Sequence, residues 1–282
     1  MEKVIYKGKI RDGNPGKMSD KIFEVIYDDK QKFAKLKPFP KINYSNDSYR
    51  KKVNKTSLIN DYFLEHDKQQ PGYFTFISPF LKRGDIVADC GCGGGSMLDL
   101  TKGLASETLA IEPFGGYHSS LTERGHQTFS SINEASKKYS SKVNLALSIH
   151  VIEHTDDPLA YLKSIHKLLT KNGVAIVFTP NNDDILLKLY PEIYAPFFYR
   201  TVHNYYFSGE GLEILGKKSG FAYTSKFYYH EFGISNTLNW LKQKKATGNS
   251  MLDGITTEFD FAWKNLLEKS GQSYNVGVIL RK

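Results

Sequence analysis

Cysteine is almost missing from this sequence. Only Cys90 and Cys92 occur among 282 residues, two positions apart within a run of glycines, which excludes a disulfide framework and a four-cysteine zinc site and fits a reducing compartment. Long apolar runs are missing too: nothing approaches the roughly 18 consecutive apolar residues of a membrane-spanning helix. The opening stretch, MEKVIYKGKIRDGNPGK, carries charge where a signal peptide would hold its apolar segment. The cytoplasmic compartment is therefore expected. No internal repeat or low-complexity tract is visible.

What is present is an ordinary globular balance, 40% hydrophobic and 24% charged residues, with positive charge unevenly placed. The chain carries 38 Lys and Arg against 30 Asp and Glu, and residues 1–55 hold 15 of the former and 7 of the latter. The remainder is electrically balanced. The net charge of +8 thus belongs to a basic N-terminal arm, suited to nucleic acid, an acidic lipid surface or a phosphorylated substrate. Because Glu24, Asp28 and Asp29 interrupt it, a solvated extension is the plainer reading.

Within the arm, residues 21–27 (KIFEVIY) and 32–36 (KFAKL) alternate apolar and polar side chains around Asp28-Asp29-Lys30, the pattern of a short hairpin. One hairpin is marginal in water and must lean on the main domain. Residues 37–47, with two prolines, read as a linker, so the arm is expected over 1–47 and the main domain over 48–282. Residues 48–63 and 73–81 look helical, separated by Gln70-Pro71-Gly72. Beyond Gly84 one theme repeats: a short apolar run, a turn, then a helix-length stretch. Candidate strands are 86–89, 108–112, 127–129, 145–149, 174–179, 221–229 and 274–280. Asp157-Pro158 opens a well-signalled helix and Asn172-Gly173 closes it. Strands alternating with helices predict a parallel, doubly wound sheet of seven strands.

Residues 87–96 read VADCGCGGGS, a glycine-rich turn leaving the first of these strands, where backbone can approach a ligand closely. A dinucleotide fingerprint fails, since its third glycine position falls on Ser96 or Leu98. A phosphate-binding loop fails for want of a lysine. What remains is acid-x-Gly-x-Gly-x-Gly, formed by Asp89, Gly91, Gly93 and Gly95, with a second acid, Glu112, ending the next strand in LAIEP. A carboxylate there can accept both hydroxyls of a ribose.

This combination resembles the class I S-adenosylmethionine-dependent methyltransferases. The resemblance continues through LALSIHVIEHTDDP (145–158), LLTKNGVAIVFTPN (168–181), HNYYFS (203–208) and KKSGF (217–221), in the order and spacing of relatives that act on quinone precursors and on sugars. It implies an α/β, Rossmann-like fold with helices on both faces of the sheet, and S-adenosylmethionine as cofactor. By the same resemblance Asp89, Gly91, Cys92, Gly93 and Gly95 hold the methionine moiety and Glu112 the ribose. Pro113 and Phe114 lie beside the adenosine, Ser131 (with Ser130 and Asn133) is the candidate for the adenine amino group, and Ser148 borders the sulfonium.

His150, Glu153 and His154 fall at i, i+3 and i+4 and share a face if their turn is helical. Two imidazoles and a carboxylate can bind a transition metal, but an acid-base or loop-ordering role is preferred and no metal is expected. Between Tyr190 and Phe207 lie eight aromatic residues together with Arg200 and His203, in one of two cap insertions expected at about 182–208 and 230–273. About half of these rings are expected in a core, the rest in a substrate wall. The second insertion, with an amphipathic helix near 257–269, reads as a lid or a dimer face and leaves a homo-oligomer open.

Transfer from a sulfonium to oxygen or nitrogen needs alignment and removal of one proton. His154, His203 and His150 are the candidate bases. The expected acceptor is a small molecule, a sugar or glycan precursor of cell-surface polysaccharide such as an anionic nucleotide sugar. The alternatives are a quinone-like aromatic alcohol and, further off, RNA, since no basic stripe continues across the balanced main domain.

Overall fold

The alternation of short apolar runs with helix-length stretches builds the strands of an α/β fold. The computed structural model describes residues 1–13, 17–54, 57–246, 248 and 251–282. Its strands are β1 (Glu2–Gly8), β2 (Phe23–Asp28), β3 (Phe33–Lys37), β4 (Ile86–Cys90), β5 (Glu107–Ile111), β6 (Gln127–Phe129), β7 (Val143–Ile149), β8 (Leu169–Pro180), β9 (Tyr205–Phe207), β10 (Tyr223–Tyr229) and β11 (Asn275–Arg281). A seven-stranded sheet has the order β10-β11-β8-β7-β4-β5-β6, and β4 runs parallel to both β5 and β7. This is the Rossmann-like sheet. From β4 the chain proceeds outward to β5 and β6 and then returns to β7 on β4's other side. The carboxyl ends of β4 and β7 therefore flank the switch point, where doubly wound folds bind ligands.

The expected helix at Asp157-Pro158 is Pro158–Leu168, with the Asp157 carboxylate accepting from the amides of Leu159 (2.9 Å) and Ala160 (3.0 Å). It ends earlier than Asn172-Gly173 suggests, and β8 begins at Leu169. Gly173 is a strand residue. A Cβ on it would stand 2.9 Å from Leu169 Cβ and 3.0 Å from the Val143 carbonyl, so the glycine reports close packing rather than a turn. The helical stretch expected over 48–63 consists of two helices, Ser48–Asn54 and Ile59–His66.

The chain divides into two compact units. One comprises Met1–Pro40, Phe178–Ile214 and Ser225–Val278, the other Lys41–Val177, Leu215–Thr224 and Ile279–Lys282. In the first, β2 and β3 pair antiparallel across Asp28–Phe33, β1 adds to β2, and β9 adds to β3 through Phe33–Phe207 and Lys35–Tyr205. Val25, Ala34 and Leu36 point inward and are buried with Tyr194, Phe198, Tyr199, Tyr206 and Trp240. The arm is thus part of a core, not a solvated extension. β1 escapes sequence reading because most of its residues are exposed and its pattern does not alternate. No helix among the described residues is long and apolar enough to cross a membrane.

Candidate active site

The second unit holds the glycine turn. Leaving β4 at Cys90, the chain passes through residues 91–95 into the helix Ser96–Thr101. Gly91 has φ +93° and Gly95 φ +87°, values that exclude most side chains. Gly91 and Cys92 donate to the Ile111 carbonyl at 2.7 and 3.2 Å, pinning the turn to the end of β5. A Cβ at Gly91 would stand 2.5 Å from Val151 Cγ2. The loop that follows β7 therefore lies against the turn.

Two carboxylates face this turn in different states. Asp89 is 4% exposed and makes no hydrogen bond among the described residues. Burial, with the Glu112 charge added, pushes its carboxyl up to about 7. Glu112, also buried, is saturated. Its Oε2 accepts from the Gly93 amide at 2.9 Å, and its Oε1 accepts from the Phe114 amide at 2.9 Å and from Arg50 Nη2 at 2.7 Å.

Arg50 comes from the helix Ser48–Asn54, and its guanidinium lies 4.9 Å from the Tyr117 ring centroid and 5.7 Å from that of Phe114. Tyr62, from the next helix, stands over the glycines: a Cβ on Gly93 or Gly94 would come within 2.5 Å of its ring or hydroxyl. Neither residue was singled out from the sequence. Arg50 sits in a basic run that reads as solvated charge, and nothing local marks a partner 62 positions away.

A second group of side chains follows β7. His150 takes a left-handed φ of +55°, uncommon for a residue with a Cβ and often found at working sites. Its Nε2 shares a 2.8 Å hydrogen bond with the Tyr73 hydroxyl, and its Nδ1 lies 3.4 Å from Glu153 Oε1. Glu153 is 1% exposed. Burial would raise its carboxyl, but the hydrogen bond from His150 and the charges of His154 and His150 outweigh that and hold it below the ordinary range. The His154 Nδ1 meets the Tyr44 hydroxyl at 3.1 Å, and its ring sits edge-on to Tyr44 and Tyr49. Residues 152–154 form a 3-10 turn, and ligand atoms of Glu153 and His154 lie within 4.8 Å of one another, so both imidazoles stand close to the Glu153 carboxylate.

The other expected residues are placed as follows. Ser148 is buried, bonded at 2.8 Å to the Tyr161 hydroxyl, which donates to the Cys90 carbonyl and so ties β7 to β4. The Cys92 thiol is buried and pushed up by that burial. Pro113 follows Glu112 at the end of β5. Ser131 caps the helix Ile132–Tyr139, its hydroxyl accepting from the Glu134 amide at 3.1 Å. His203 belongs to the first unit, buried, its ring 5.8 Å from that of Tyr206.

A family model described as a methyltransferase domain matches residues 64–226. The chain belongs to the methyltransferase-domain family. Among curated relatives, the chain is 29% identical over 107 residues to a ubiquinone biosynthesis O-methyltransferase of Ruegeria pomeroyi, 34% of this chain and 42% of that protein. It is 30% identical over 129 residues to a tRNA U34 carboxymethyltransferase of Sulfurovum, 43% of each. The match spans less than half the length of these relatives. Among solved structures, an S-adenosylmethionine-dependent methyltransferase of Archaeoglobus fulgidus superposes with a TM-score of 0.55 at 15% identity, covering 79% of this chain and 97% of that one. One from Thermotoga maritima gives 0.54 at 19% identity, covering 80% and 96%. S-adenosylmethionine is the cofactor of this class. The site fits it: Asp89 is a buried carboxylate that accepts no hydrogen bond among the described residues, suited to an ammonium.

Proposed function

We propose that the methyltransferase moves the methyl group of S-adenosylmethionine to an oxygen or nitrogen of a small anionic acceptor, a sugar or glycan precursor. The observation that carries the methyl-transfer reading is the pair of buried acids at the glycine turn, Asp89 with no donor among the described residues and Glu112 just past the end of the neighbouring strand. Bound S-adenosylmethionine supplies a methyl on a sulfonium that leaves as a neutral thioether. The protein's part is to hold and to deprotonate. Asp89 takes the ammonium of the methionine moiety, the backbone of Gly91 to Gly95 lies along that moiety, and Glu112 accepts the ribose hydroxyls once Arg50 withdraws.

The Tyr73–His150–Glu153 chain then receives the acceptor's proton. Tyr73 passes its own proton to His150 Nε2 as it takes one from the acceptor, and Glu153 balances the imidazolium. An anionic sugar is favoured by the charge excess of the N-terminal residues. A quinone-like aromatic alcohol is the second reading, favoured by the ubiquinone O-methyltransferase relatives. Incubating the protein with a metabolite extract and isotopically labelled methyl donor, then finding the labelled product by mass spectrometry, tests the reading. Label in phenolic quinone precursors would replace the sugar assignment, and label in no small molecule would remove both.

Asp89 gives a further expected result. With its carboxyl near neutrality in the free protein, an ammonium partner favours the ionised form, so binding releases a proton. Affinity for S-adenosylhomocysteine should rise between pH 6 and 8, by up to about tenfold per unit on the acid side. Asp89→Asn should bind more weakly and with a flatter profile. A pH-independent affinity in the parent, measured by calorimetry, would remove the assignment.

A further inference from the structure

We propose that Arg11 and Arg200 form a binding site for a phosphoryl group in the unit built on the four-stranded sheet. The two residues are joined by an isolated parallel bridge, and the Arg11 amide donates to the carbonyls of Pro196 (2.8 Å) and Tyr199 (3.1 Å). Arg11 is 4% exposed. Its guanidinium lies 4.1 Å from the Phe197 ring centroid, while its Nε and Nη2 are buried without a hydrogen-bond partner. Arg200 Nε is likewise buried and unsatisfied, and its Nη2 reaches only the Tyr274 hydroxyl, at 3.4 Å. Neither guanidinium has a carboxylate within ion-pair distance among the described residues.

The acids on the surrounding elements are engaged otherwise. Asp12 accepts from the Thr201 hydroxyl at 2.6 Å and faces Lys17 at 3.6 Å. Asp184 accepts from the Leu186 amide and the Tyr194 hydroxyl, and Glu231 from the Asn275 amide nitrogen.

Two guanidiniums on bridged backbone positions, both with buried unsatisfied nitrogens and neither facing a carboxylate among the described residues, are unfavourable in the free protein. An oxyanion carrying two charges relieves both, and the forked donors of arginine match phosphate geometry. The Phe197 face orients the Arg11 plane for that contact. The site stands on its own geometry.

The test uses the full chain with inorganic phosphate as probe and no cofactor, following thermal unfolding and calorimetry. About 10 mM phosphate should raise Tm by about 2 to 4 °C over matched chloride. Arg11→Met should raise Tm in phosphate-free buffer, because an unbalanced buried charge is removed, and should abolish the phosphate response. Arg200→Met should weaken phosphate affinity by at least about tenfold, the scale of a lost charge-assisted contact. No phosphate response in the parent, a response kept in Arg11→Met, or a lower phosphate-free Tm in that variant would each overturn the site. S-adenosylhomocysteine binding is measured alongside and should be the same in all three proteins. Its absence from the parent would count against the methyl-transfer reading and leave the phosphate result standing.

Discussion

Alanine at His150 should lower methyl-transfer turnover by about 10²- to 10⁴-fold, the range for loss of a positioned general base, while S-adenosylhomocysteine affinity stays at the parent value. The expectation follows from the chain of Tyr73, His150 and Glu153, in which the imidazole has a buried carboxylate behind it and a hydroxyl in front. Tyr73→Phe should lower turnover as well, because the proton then loses its first carrier. Glu153→Gln should move the acidic limb of the rate profile to lower pH, since a carboxylate that stabilises the imidazolium has been neutralised. A solely structural role for these residues would lower Tm and leave the limb where it was. Turnover within a few-fold of the parent for His150→Ala, at saturating substrate, would transfer the role to His154 or His203.

The second large effect concerns Glu112 and its present partner. Glu112→Ala should cost about 1 to 3 kcal/mol of S-adenosylhomocysteine affinity, the worth of charge-assisted hydrogen bonds to a pair of hydroxyls. Arg50→Ala should act in the opposite direction. In the free protein Arg50 takes the same carboxylate, between the same aromatic faces of Phe114 and Tyr117, so the ligand must displace it. A site available for only part of the time lowers the apparent affinity by that fraction. Freeing it should tighten binding by about tenfold, and in a Glu112→Ala background the same substitution should have little effect. Weaker binding by Arg50→Ala alone would mean that the guanidinium supports the ligand instead of competing with it.

Much of the glycine turn and its two acids was legible because the signals are local. Asp89 and the glycines lie within seven positions, Glu112 ends the neighbouring strand, and the alternation of strands and helices fixes both at one edge of a sheet. What escaped was assembled at a distance. Arg50, Tyr62 and Tyr73 precede the glycine turn on short helices whose apolar faces are too brief to declare a partner, and their contacts form only after the sheet has brought its strand ends together. The aromatic segment after β8 was read as part core and part substrate wall. Tyr194, Phe198, Tyr199, Tyr206 and Phe207 are buried, and the partners for several of them are β2 and β3, which the sequence offered only as a hairpin in need of support. Arg11 lay unremarked in a basic stretch, where a guanidinium buried against Phe197 looks no different from one in solvent.

The pairing of β3 with β9 also sets an order of events during synthesis. Phe33 emerges about 170 residues before Phe207, its ladder partner, and loop closure over that span is slow compared with the local contacts of residues 41–177. The second unit has most of its chain in that one continuous stretch, so it can gather while the first is still waiting for its later segments. Throughout that interval the outer rim of β3 has no neighbour, and an unpaired rim recruits other chains. Lys35, at the end of the stretch that β9 will cover, places a charge there and discourages such recruitment until Tyr205 arrives.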